Sequence, residues 1–209
     1  MRIAGKQTDG QWMSLKKRLQ SNPSRRLWDS AYRRFYLERI NTRYLYPIAS
    51  IKNRDTQCGE GFAMAALFCT LIEYLESCER GDNFRFIGRT GAKLQPHEYD
   101  EHQAATYFKY FLKKRAPFCE LVPADLVDSF YRNVRCGLVH EARTKGGWTV
   151  SSKGSGGRLI SQSGSTITLF RNELLPGLQR YLDDYRQRLM SDPNTQEAFI
   201  RKFDHLCSP

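Results

Sequence analysis

The sequence predicts a mainly α fold, a helical bundle with one small β-hairpin inserted before the last long helix. Three observations lead there. Apolar residues recur at spacings of three and four over most of the 209 residues. The segment 146–170, GGWTVSSKGSGGRLISQSGSTITLF, breaks that period with short alternating runs between glycine and serine clusters. No unit of about 20 to 50 residues repeats, so a solenoid is not expected. With 40% hydrophobic and 12% aromatic residues, the chain has enough apolar material for a packed core.

Residues 1–23 read as a basic N-terminal segment carrying Lys16, Lys17 and Arg18. From Ser24 the pattern turns helical, with Leu27, Trp28, Ala31, Tyr32, Phe35, Tyr36 and Ile40 on one face, until Pro47 closes or kinks the helix. A charged loop over 52–58 leads into 59–77, where nearly every position before Glu73 is apolar, the pattern of a central buried helix. Its apolar run is interrupted by Thr70 and is shorter than the ~18 residues of a membrane span, so no transmembrane segment is expected. Residues 80–97 show no sustained period and read as an exposed loop. A third helix fits 98–114, with Ala105, Phe108, Phe111 and Leu112 facing inward. A fourth starts near Pro123, which suits a first turn, and runs to about 143, with Asp125 favourable to the helix dipole. The hairpin at about 146–170 follows, possibly with a third strand. Asn172 then caps the last helix, which runs to about 190 and carries Pro176 in its first turn. The expected domain is therefore 24–190, between the N-terminal segment and a C-terminal tail over 191–209.

Charge narrows the partners. Thirty-three Lys+Arg against 22 Asp+Glu leave a net charge of +11, which favours polyanions, nucleic acid or nucleotides first and anionic membrane surface second. The six cysteines are never spaced C-x-x-C, so neither a metal nor a cofactor is expected, and a reducing, cytoplasmic compartment fits them. The polar N-terminus has no apolar stretch of the kind that directs secretion. No G-x-x-x-x-G-K-[ST] string occurs, so nucleotide hydrolysis is not indicated.

The fourth helix carries the informative chemistry. At about 100° per residue, Val127, Phe130, Tyr131, Val134 and Leu138 form one apolar stripe. Arg132, Cys136 and His140 follow one another at i, i+4 and i+8 on another side, with Arg143 further along. Arg135 sits about 140° around from His140, so one chain does not easily aim both at one atom. A neutral imidazole takes a proton from a ribose 2′-hydroxyl while guanidinium groups hold the phosphate, which is the chemistry of RNA cleavage without a metal. Gly137 leaves room beside the stripe for a close-packed backbone. Solvated arginines and a surface histidine are the plainer reading of the same face.

The string Arg135-Cys136-Gly137-Leu138-Val139-His140, within FYRNVRCGLVHEARTKGGW, resembles the R-x4-6-H signature of the HEPN superfamily. The resemblance covers about 24–190 and implies a HEPN-like helical bundle with the signature on a late helix. It further implies a metal-independent endoribonuclease acting as a homodimer, with two motifs facing one another, in a toxin or antiviral defence setting. Arg135 and His140, assisted by Arg132, are the implied catalytic residues. Asn133, Arg143, Lys145 and Trp148 are the expected RNA contacts, and an antitoxin or defence-system protein is a possible partner. Cys136 stands where active members commonly carry Asn, Asp or His. The alternative is a non-catalytic HEPN-like module that binds nucleic acid or a nucleotide, or that dimerises.

Overall fold

The computed structural model describes residues 1–52, 59–87 and 93–207. Strands β1 (Arg2–Ala4) and β2 (Gln7–Thr8) pair antiparallel at the start of the chain. Thr8 then caps α1 (Asp9–Ser21): its hydroxyl accepts from the Gln11 amide while the Gln11 side chain accepts from the Thr8 amide, so two otherwise orphaned donors are satisfied together. The Ser24 hydroxyl caps α2 (Arg25–Ala31) by accepting from the Leu27 amide. A π-helical turn (Tyr32–Leu37), α3 (Glu38–Ile40), a second π turn (Asn41–Leu45) and α4 (Tyr46–Lys52) follow without interruption. Pro47 therefore neither closes the helix nor ends the unit; it occupies the first turn of α4, just after a π turn.

The long helix α5 (Glu60–Arg80) comes next, then β3 (Asn83–Phe84), which pairs parallel with β4 (Glu98–Tyr99). That pairing is why the third helix begins six residues later than its pattern predicts, as α6 (Ala104–Lys114). Positions 53–58 and 88–92 of the two expected loops lie outside the described residues. After α7 (Phe118–Leu121), the fourth helix is a composite: a 3-10 turn (Ala124–Leu126), α8 (Val127–Phe130), a π turn (Tyr131–Arg135) and α9 (Cys136–Glu141). Strands β5 (Trp148–Ser151), β6 (Ile160–Ser163) and β7 (Thr166–Phe170) form a sheet in the order β5-β7-β6. Helices α10 (Leu174–Leu189) and α11 (Pro193–Cys207) complete the chain.

The chain divides into two compact units. The first comprises Met1–Arg43, Leu75–Ala104 and Leu182–Pro209. Its core is aromatic: Trp12 meets Phe203 at 5.3 Å and Phe35 edge-on at 5.4 Å, Phe199 stacks on Phe203 at 4.6 Å, and Tyr36 stacks on Tyr185 at 4.5 Å. The Trp12 indole donates to Asp204, which also takes Lys16 at 2.6 Å. Residues 1–23 and 191–209 are thus not a free segment and a tail; α1 and α11 bury Trp12, Leu15, Leu19, Ala198, Phe199 and Phe203 in this core.

The second unit comprises Tyr44–Tyr74 and Ala105–Tyr181. Phe111 lies against Phe118 and Tyr181, Phe68 against Phe118, and Phe130 against both Phe108 and Trp148. The predicted hairpin is present as β6 and β7, turning at Gly164 (φ 57°), and β5 joins it parallel to β7, Trp148 opposite Ile167. Asn172 does not cap the last helix. It lies in a 3-10 turn ahead of α10, and its side-chain amide donates to the Ser152 carbonyl at 2.8 Å.

The fold is mainly helical. By length and composition α5 is the one helix among the described residues apolar enough to cross a membrane, but more than half of its residues are buried within the protein, the pattern of a core helix.

Candidate functional site

The composite fourth helix belongs to the second unit. Val127, Phe130 and Val134 are buried as their spacing predicts, whereas Tyr131 and Leu138 are only half-buried. The π turn accounts for part of this: the Cys136 amide reaches back five residues to the Tyr131 carbonyl, so the α-helical phase is lost upstream of Cys136 and regained in α9. Only from Cys136 onward does a four-residue step return to one face.

α9 stops abruptly. Ala142 takes the left-handed conformation (φ 53°), and its amide donates to the Gly137 carbonyl. The chain then folds back so closely that a Cβ at position 137 would lie 2.4 Å from the Arg143 carbonyl oxygen. Gly137 is needed for that approach, and its own backbone fills the space that the sequence left open for a partner or substrate. Further along, the Lys145 amide donates to the Asn133 carbonyl at 3.0 Å, laying 143–146 beside the helix.

The expected catalytic residues are held differently. Arg132 and His140 are exposed, and neither makes a hydrogen bond or ion pair with a described residue. Arg135 is half-buried, its guanidinium 5.5 Å from the centre of the Tyr131 ring and 3.8 Å from the Glu73 carboxylate. Burial pushes the Tyr131 phenol up, with Arg135 opposing. No contact joins Arg135 to His140 within the chain. Glu73 escaped the sequence reading, although an acidic residue ending the apolar run of a central helix is a visible signal of a charged neighbour.

The expected RNA contacts divide in the same way. Arg143 and Lys145 both engage Glu141, at 3.0 and 2.6 Å, and their hydrogen bonds hold its carboxyl below the usual range. Glu141 therefore serves these two cations, as its spacing from Lys145 allowed, and makes no contact with His140. Arg143 remains 68% exposed. The Asn133 side chain donates to the Ser129 hydroxyl, which also accepts from the Trp148 indole at 2.9 Å. Trp148 is 3% exposed and packs edge-on to Phe130, so it offers no face for a base to stack on, contrary to expectation. The strand register buries it: β5 pairs along its length with β7, and Trp148 lies on the core side of the sheet.

Of the basic clusters, Lys113 is engaged rather than free, since Asp128 takes Lys109 at 2.6 Å and Lys113 at 3.0 Å; these contacts bring its carboxyl down to about 2. A separate cleft of about 370 Å³ opens at the start of α5, lined by Gly61, Phe62, Val150, Lys153 and Arg171, and holds none of the residues above. Among the described residues no three His, Cys, Asp or Glu side chains gather to hold a metal ion.

The face thus offers an exposed imidazole and an exposed guanidinium, with a second guanidinium held nearby along the helix by an aromatic ring and a carboxylate. No family model, curated protein or solved structure matches the chain.

Proposed function

We propose that the chain is a HEPN-like, metal-independent endoribonuclease of the cytoplasm, working as a homodimer, with His140 in proton transfer and Arg135 and Arg132 holding the scissile phosphate. The observation that carries this reading is the exposed, unpartnered His140, on a helix that also exposes Arg132. In the reaction, the His140 imidazole accepts the 2′-hydroxyl proton and the 2′-oxygen forms a bond to the adjacent phosphorus. The bond from phosphorus to the 5′-oxygen breaks, and that oxygen leaves with a proton from the protonated imidazole of the second copy. Two facing motifs remove the angular conflict between Arg135 and His140, because each copy then supplies one of them to a shared phosphate.

Self-directed RNA cleavage suits a toxin or an antiviral defence effector, restrained by an antitoxin or defence-system protein. The test is incubation of wild type and His140→Ala with total RNA in EDTA. Wild type is expected to leave 2′,3′-cyclic phosphate ends, and the variant to lose about 10²- to 10⁴-fold in rate. A wild-type protein that cuts nothing in EDTA overturns the reading.

The second reading, a non-catalytic binding or dimerisation module, is favoured by one observation: Arg135 is already engaged by Tyr131 and Glu73. It predicts RNA affinity that falls steeply with salt, without turnover.

A further inference from the structure

Cys136 and His140 stand four residues apart within α9, the stretch of the composite helix that keeps α geometry. Side chains at that spacing are neighbours, with about 5–6 Å between their Cβ atoms, and helical side chains lean toward the N-terminus, so the imidazole lies over the turn that carries the thiol. Cys136 is a free, half-exposed thiol and His140 is exposed without a partner. A thiolate and an imidazole on one side of a helix are two of the four donors that a tetrahedral zinc ion takes.

One chain does not supply the rest. The only carboxylate nearby in sequence, Glu141, is engaged by Lys145 and Arg143, and the histidines at 97, 102 and 205 belong to the other unit. A two-fold axis through this face turns two donors into four, because the same pair from a second copy completes a Cys₂His₂ set. Val139, 56% exposed and adjacent to both residues on the helix, gains an apolar contact in the same step. The charge also balances: two thiolates cancel the dication, so the loaded site adds nothing to the repulsion between the two copies of Arg132.

We propose that Cys136 and His140 form half of a zinc-type metal site that a second copy of this chain completes, and that metal loading holds the dimer catalytically off. Each thiol loses its proton to solvent as its sulfur bonds the metal, and each imidazole commits a nitrogen lone pair to the metal that would otherwise accept the 2′-hydroxyl proton. The regulatory half of this inference rests on the ribonuclease reading; the metal site does not.

The test titrates the full-length, metal-stripped chain with Co²⁺ and Zn²⁺ while following absorbance and mass in solution. The expected result is half an equivalent per chain, a tetrahedral cobalt spectrum with sulfur-to-metal charge transfer, a dimer, and loss of that spectrum in both Cys136→Ser and His140→Ala. Zinc is expected to stop RNA cleavage by wild type, with EDTA restoring it, and to leave cleavage by Cys136→Ser running. A dimer that cuts RNA but takes up no cobalt, or takes it up equally well as Cys136→Ser, overturns the metal site and leaves the ribonuclease standing. Half-equivalent cobalt bound through both residues, with no cleavage in EDTA, keeps the site and overturns the ribonuclease.

Discussion

The arginines at the end of α10 and those along the composite fourth helix have the same charge and opposite circumstances. Arg186 meets Asp29 at 2.6 Å, and Arg188 forms a two-pronged contact with the nearly fully buried Glu79, at 2.6 and 2.7 Å, while also reaching Asp184. Arg132 has no such partner, and Arg135 has a carboxylate only at 3.8 Å. A charge fixed by a bidentate, partly desolvated pair belongs to the architecture, whereas one left in solvent costs little to keep and is available to a ligand. The surplus of positive charge is therefore not spread evenly in effect; the fourth helix keeps part of it uncommitted.

The largest effect expected of this contrast is on stability. Arg188→Ala strands the buried Glu79 carboxylate and is expected to destabilise the protein by ~3 kcal/mol, whereas Arg132→Ala stays within ~0.5 kcal/mol. Urea unfolding of both variants checks it, and equal costs would erase the distinction drawn here. Next in size is Gly137→Ala, whose new methyl meets the Arg143 carbonyl; a loss of about 1–3 kcal/mol in thermal or chemical unfolding is expected, and a neutral result would mean that the chain after α9 is free to move aside.

The smallest effect concerns an exposed pair in the second unit. Hydrogen bonds from Lys109 and Lys113 hold the folded Asp128 carboxyl at about 2, below its unfolded value of ~3.9. Its contribution is therefore present above the unfolded value and disappears as pH falls through about 2. The melting temperature of wild type is expected to exceed that of Asp128→Asn by a small, constant margin near neutrality, with the curves converging in acid. A margin that persists below pH ~2 assigns the difference to something other than the carboxylate charge.

What was legible in the sequence was whatever depends on near neighbours. Val127, Phe130 and Val134 reveal their burial through spacing alone, the β6–β7 turn through its Gly164, and the Glu141–Lys145 pair through a four-residue step. What was not legible depends on partners far along the chain. The parallel pairing of β5 with β7 places Trp148 inside, and no local pattern distinguishes that from an exposed aromatic at a loop edge. Trp12, Leu15 and Leu19 sit in a polar stretch whose composition masks their helical period, although Thr8 and Gln11 spell a capping box directly before it. For the site, the residue types and their shared helix were visible; the π turn that changes their phase, and the hold of Glu73 on Arg135, depend on geometry that a fixed 100° projection does not contain.

Burial of the three tryptophans has an optical consequence. Trp12 and Trp28 lie in the first unit and Trp148 in the second, all shielded from water. Each unit thus carries its own intrinsic fluorophore: emission that survives in Trp148→Phe reports on one alone, and the missing component on the other. The indole of Trp148, bonded to the same hydroxyl as Asn133, is also the chromophore nearest in connectivity to the fourth helix, so its quenching or spectral shift is a label-free signal for events at that helix.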